Sequence, residues 1–144
     1  MNIAIVGATG NVGRKTLEVL EKKELKIDNL YLLASSKSVG VKIKFKDKEY
    51  KVDDLNNFDF SKAKIIFFAA GGKISEKFAE KASKNSLVID NSSFFRMDPD
   101  VPLIVPQVNP NDLNNMKKNI IANPNCSTAQ LVIALKPLHD LFVI

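Results

Sequence analysis

Residues 2–13 read NIAIVGATGNVG, an apolar run that breaks into a turn with glycines at positions 7, 10 and 13. A short apolar run closed by glycine suits a strand buried on both faces. Residues 10–23, GNVGRKTLEVLEKK, then place Val12, Thr16, Val19 and Leu20 at helical spacing. Strand, glycine turn and helix in immediate succession leave few folds open. Residues without a Cβ allow a tight turn and close approach of the backbone to a pyrophosphate, while the helix N-terminus offers N–H groups and the positive end of its dipole. GxxGxxG is a variant of the dinucleotide fingerprint. Such a turn can also serve strand-to-helix packing alone, but its place between a strand and an amphipathic helix favours a nucleotide.

The alternation continues down the chain. Residues 29–35 (NLYLLAS) predict a second strand, and 41–52 (VKIKFKDKEYKV) alternate with period two around Lys46 and Asp47, as a half-exposed hairpin would. Residues 63–72 (AKIIFFAAGG) predict a third buried strand. A helix follows over 74–84, with Ile74, Phe78 and Ala82 on one face, and a fourth strand over 86–93. Residues 102–110 (PLIVPQVNP) form a proline-bounded extended segment, and 119–124 a short strand leading into a helix over 126–138. The pattern predicts an α/β fold: a doubly wound, mostly parallel Rossmann-type sheet. No repeat, low-complexity stretch or linker divides the 144 residues.

Composition narrows the function. The net charge of +5 raises nucleic-acid binding, but 21 Lys+Arg include only Arg14 and Arg96, and the lysines are dispersed without tryptophan or a basic stripe. A solvated lysine-rich surface that helps draw in anionic small molecules is expected instead. No apolar run approaches the roughly 18 residues of a membrane span. The first strand starts at Asn2, leaving no room for a signal peptide, and a single cysteine suits a reducing cytoplasm. No metal site is expected.

The second strand ends in ASSKSVG (34–40), without the acid that would bind a free ribose 2′-hydroxyl. Ser35, Ser36, Lys37 and Ser38 suit a 2′-phosphate, so NADP is expected over NAD, although a plain polar loop would read the same way. The lone thiol, Cys126, lies in ANPNCSTAQLVIAL (122–135), where a helix begins. A thiolate there faces unpaired N–H groups and the positive end of the dipole, conditions that make a nucleophile. An inert core cysteine is the alternative. Asn125, Ser127 and Thr128 beside it, and its place on the same sheet edge as the glycine turn, favour the nucleophile.

Taken together, GATGNVGR, ASSKSVG, FFAAGG, DNSSFFRMDPDVPLIVPQVNP and NPNCSTAQL resemble the aspartate-β-semialdehyde dehydrogenases, in order and over practically the whole chain. The resemblance implies an NADP-dependent oxidoreductase that reduces L-aspartyl-4-phosphate to the semialdehyde through a cysteine thioester, on the way to lysine, threonine and methionine. It makes Cys126 the nucleophile, Asn125 a substrate-positioning neighbour and Arg96 the phosphate-binding arginine. By the same resemblance, Thr9, Gly10, Asn11 and Val12, following Gly7, form the pyrophosphate turn. Lys37 and Ser38 meet the 2′-phosphate, and Ala69, Ala70, Gly71 and Asn91 lie near the nicotinamide. Gln107 departs from the glutamate of many relatives.

A base for the thiol is not evident. His139, the only histidine, lies 139 − 126 = 13 positions further along the helix, about 20 Å at 1.5 Å per residue, against the roughly 3 Å that proton transfer needs. The resemblance places the catalytic histidine, further substrate-binding residues and the homodimer interface in a second domain. It implies that residues 141–144 (LFVI) enter that domain's first strand and that this chain alone is inactive. Two rivals are an N-acetyl-γ-glutamyl-phosphate reductase domain, whose cysteine usually follows proline-glycine, and a non-catalytic NADP-binding module.

Overall fold

The computed structural model describes residues 1–144. Strand β1 (Asn2–Val6), helix α1 (Asn11–Lys22) and strand β2 (Asn29–Ala34) are followed by β3 (Lys42–Phe45) and β4 (Lys48–Asp54). Then come β5 (Ile65–Phe68), α2 (Gly72–Ser83), β6 (Leu87–Asp90), β7 (Ile120–Ala122) and α3 (Cys126–Phe142). The seven strands form one sheet in the order β3-β4-β2-β1-β5-β6-β7, parallel except for β3. This is the doubly wound Rossmann-type arrangement expected from the alternation.

The helices sit on opposite faces. On one face α2 buries Phe78, Ala79 and Ala82 against Val6, Ile66, Phe68 and Val88. On the other, α1 buries Gly13, Leu17 and Leu20 against Ile3, Ile5 and Leu32. Of the expected stripe Val12, Thr16, Val19 and Leu20, only Leu20 is buried; Thr16 is half buried, and Val12 and Val19 are about half exposed. Contact at the end of β1 turns the helix. A Cβ built on Gly13 would stand 2.2 Å from the Gly7 carbonyl oxygen, so that position must face the strand.

Other boundaries also differ from expectation. The strands over 63–72, 86–93 and 119–124 shorten to their ladder-bonded cores, and Ala69–Gly71 and 91–96 become turns. The 41–52 hairpin exists, but its second strand joins the main sheet: Val52 pairs with Leu32 and is fully buried. Residues 102–110 supply only an isolated bridge, from Leu103 to Ala122. Helix α3 passes through Pro137 to Phe142, and Val143 closes it in a left-handed conformation with its N–H on the His139 carbonyl at 2.8 Å. Residues 141–144 are thus a helix end, not a strand. Short apolar runs specify neither state by themselves, and here the helical run simply continues.

Two apolar surfaces lie open. Beyond α1, Ile65, Phe67, Leu87, Ile89 and Ile121 form adjacent register pairs that stay only half buried. Helix α3 buries none of its 17 residues and touches the body along Ala129, Val132 and Lys136, which are half buried. No helix is long and apolar enough to cross a membrane.

The packing of Gly13 makes a test of sign. Gly to Ala within a helix ordinarily stabilises by up to ~1 kcal/mol. Gly13→Ala is expected instead to destabilise by about 1–3 kcal/mol through overpacking against Gly7, read as a lower urea midpoint.

Candidate functional site

Because β1, β2, β4, β5, β6 and β7 run parallel, their carboxyl ends share one edge of the sheet. Ligands of such sheets bind beyond these ends, where the strand order reverses, here on either side of β1.

The turn after β1 is tied down from several sides. Gly7 (φ +85°) and Ala8 donate their N–H groups to the Leu33 carbonyl at 2.8 and 3.2 Å, and Gly10 N–H donates to Gly7 O at 3.0 Å. Arg14 Nε donates back to the Thr9 carbonyl at 3.1 Å. Helix α1 opens at Asn11 with Gly10 as its N-cap, and no side chain caps its first-turn N–H groups. Helix α2 opens the same way on Gly71. These helix ends keep their free donors and positive dipole ends for a ligand or water.

Helix α3 differs. Asn125 Oδ1 accepts the Thr128 N–H at 2.7 Å, so the amide expected beside the thiol uses its oxygen as a helix cap. Its Nδ2 is left as the free end. Cys126 is the first residue of α3 and exposed, so within this chain it does not belong to the core.

A cleft of about 340 Å³ gathers Gly7, Thr9, Gly10, Ser35, Ala69 and Ala70 from the expected residues. To these the fold adds Leu55, Asn56, Ile74, Lys77 and Phe78. Ser36, Lys37 and Ser38 form a 3₁₀ turn just beyond Ser35 and do not line the cleft itself. A second cleft, about 370 Å³, holds Val12 and Asn91 with Thr16, Phe67, Ile89 and Asn123. Of the expected residues, Asn11, Gly71, Arg96, Asn125 and Cys126, like Ser36 to Ser38, line neither cleft.

Arg96 is fixed at this edge. Its Nε donates to the Asn123 carbonyl at 3.0 Å and its Nη2 to the Asn91 carbonyl at 3.2 Å, while Asn123 Nδ2 donates to Asn91 Oδ1 at 2.8 Å. None of the chain's ion pairs includes Arg96 or Lys37, so Arg96 is not the surface ion pair it could have been. Behind this network lies a fully buried carboxylate. Asp90 accepts from Ser75 Oγ (2.7 Å), Ser92 N–H (3.0 Å) and Ser92 Oγ (2.7 Å), fastening α2 to the 91–96 loop. Sequence reasoning passed over Asp90, Asn123, Asn56 and Lys77. An acid at a strand end followed by Asn-Ser-Ser was the available signal for the first; Asn123 bonds to Asn91, 32 positions away, and Asn56 and Lys77 reach the cleft only through the packing of β4 and α2.

A family model described as the semialdehyde dehydrogenase NAD-binding domain matches residues 2–116. This chain belongs to that family. An aspartate-semialdehyde dehydrogenase of Aquifex aeolicus is 55% identical over 96% of the chain. The aspartate semialdehyde dehydrogenase II of Vibrio cholerae, solved in complex with ASA, superposes with a TM-score of 0.94 at 48% identity over 97% of the chain. The Candida albicans enzyme solved with NADP gives 0.80 at 28% identity over 99%. The chain spans 42% of the Aquifex relative, 46% of the Vibrio chain and 48% of the Candida one. The family description itself names a nicotinamide cofactor.

Asn125 supplies the test here. Losing an N-cap costs about 1 kcal/mol, but α3 buries nothing, so the loss should appear locally rather than in global stability. Asn125→Ala is expected to speed amide exchange in the first turn of α3 about fivefold while leaving the urea midpoint nearly unchanged.

Proposed function

We propose that this chain is the NADP-binding, thiol-bearing portion of an aspartate-semialdehyde dehydrogenase. One juxtaposition carries the reading: Arg96, free of any ion pair, is anchored on the Asn123 carbonyl, three residues before the exposed Cys126, at the sheet edge that also holds the uncapped start of α1. The likeness to enzymes solved with NADP and with ASA supports it.

The residues fit a nicotinamide dinucleotide. Backbone fills the space that a Cβ would need at Gly7 and Gly13, which draws the turn into a cradle free of side chains. The adjoining cleft of about 340 Å³ has the size and largely apolar lining of a small-ligand site. The N–H groups of Asn11 and Val12, at the uncapped start of α1, would hold the pyrophosphate, with Gly10 shaping the turn before them; Ser35 to Ser38 with Lys37 would hold the 2′-phosphate, and Asn91 and the Ala70-Gly71 turn the nicotinamide side. Hydride donation is the chemistry that the bound cofactor supplies.

In the biosynthetic direction the Cys126 thiolate attacks the acyl carbon of aspartyl phosphate. The carbon–oxygen bond to phosphate breaks, phosphate leaves with the electron pair, and a thioester forms. The guanidinium donors of Arg96 not used on Asn91 and Asn123 receive the departing phosphate, as a planar fork suits an oxyanion. The free Nδ2 of Asn125 donates to the acyl oxygen as negative charge develops there. Collapse of the reduced Cys126 adduct expels the thiolate and releases the semialdehyde. His139 takes no part: its Nδ1 lies 2.7 Å from the Ile144 carbonyl, about 20 Å along a continuous helix from Cys126. The acid/base is assigned to the remainder of the enzyme, since this chain spans only 42% of the Aquifex relative, and the whole enzyme works as a cytoplasmic homodimer.

Calorimetric titration of the chain should show tighter binding of NADP than NAD. Lys37→Glu should weaken NADP about tenfold through its 2′-phosphate contact and leave NAD nearly unchanged. With aspartate semialdehyde, phosphate and NADP, the purified chain should show no measurable turnover, since general acid–base catalysis alone is worth about 10²–10⁴ in rate. Near-normal turnover abolished by Cys126→Ser would overturn the account of the missing base.

A further inference from the structure

The cleft beside β2 and β4 holds an amide that the proposed chemistry leaves unused. Asn56 lines it, two residues past the end of β4. Its Nδ2 donates to Asp54 Oδ1 at 2.8 Å, and the same oxygen accepts the Asn56 backbone N–H at 2.9 Å. A carboxylate only accepts, so chemistry sets the orientation of the amide. Nitrogen is turned to Asp54, and Oδ1 has no partner within the chain. Asp54 is itself placed by the sheet: it pairs in register with Ala34, the last residue of β2, next to Ser35.

Strand order says which part of a dinucleotide would come here. With the pyrophosphate at the β1 turn and the nicotinamide toward β6, the ribose meets Ser35 and the base lies beyond it, toward β4. The lining there is apolar at Ala34, Leu55 and Ile74, which suits the faces of a flat ring. Polar recognition is left to the ring's edge.

We propose, resting on the dinucleotide reading above, that Asn56 selects adenine: its Oδ1 accepts from the exocyclic amine of the base. Asp54 is the positioning residue that keeps the amide from turning its nitrogen outward. Hypoxanthine carries a carbonyl where adenine carries that amine, so two acceptors would face each other. A fixed acceptor tells these bases apart; a freely rotating amide would not.

The test compares NADP with nicotinamide hypoxanthine dinucleotide phosphate, titrated calorimetrically into the chain. The wild-type chain should bind NADP about tenfold more tightly than the hypoxanthine analogue, one hydrogen bond's worth. Asn56→Ala, at an exposed position whose loss leaves the core intact, should bring the two affinities together by weakening NADP. Asp54→Asn should narrow the preference by improving binding of the analogue, an effect that a merely structural role for Asp54 would not produce. Equal wild-type affinities, or a preference unchanged by Asn56→Ala, would overturn the assignment while leaving the dinucleotide reading intact. Binding of neither compound would overturn both.

Discussion

The carbonyl of Gly7 and the missing Cβ of Gly13 set the depth at which α1 seats on the sheet. A methyl group at Gly13 would collide with backbone that cannot give way, because Gly7 and Ala8 are both bonded to the Leu33 carbonyl of the neighbouring strand. From this seating follow the rotation of α1, the burial of Leu17 and Leu20, and the presentation of uncapped N–H groups at the sheet edge. β1 pairs with both β2 and β5, so a shift at this contact would move both clefts. The same atoms that pack α1 also shape the turn proposed to hold the pyrophosphate, so packing and the proposed site are compatible uses of one turn.

The other half of the edge is held by polar groups. Buried Asp90 is satisfied by three donors, one from α2 and two from the loop that follows β6, as a charge removed from water must be. Arg96 spans the ends of β6 and β7 through two backbone carbonyls, contacts that persist whatever side chains stand nearby. The division is physically sensible. Backbone close to a ligand is shaped by removing side chains, whereas a loop that presents a guanidinium has to be propped from behind.

What the sequence disclosed was mainly local. Apolar runs closed by glycine, serine or asparagine located β1, β2, β5, β6 and β7, and helical spacing located α1 and α2. The start of α3 was visible in Asn125, whose role as a cap the structure adds. Less legible was anything decided by distant pairing. Period-two alternation over 41–52 predicts a hairpin equally well whether or not Val52 is buried beside Leu32. Asn56 and Lys77 reach the cleft only because β4 and α2 are brought alongside the β1 turn. The helix expected over 126–138 already included Pro137, and α3 runs on past it to Phe142. The expected strand at 141–144 failed because that apolar run carried no signal to separate strand from helix.

Helix α3 is held most firmly at its start: Pro124 is buried and Asn125 caps the first turn, whereas beyond Cys126 nothing is buried and only Ala129, Val132 and Lys136 are half buried. Mechanically it is a rod clamped at its base, with the sulfur at the clamp. A tilt of about 5° would sweep the far end of its roughly 25 Å length through about 2 Å, while the first turn would scarcely move. The thiol thus takes its position from the sheet and is insulated from whatever grips the helix further along. Its exposed leucines can be pulled into another surface with little displacement of Cys126.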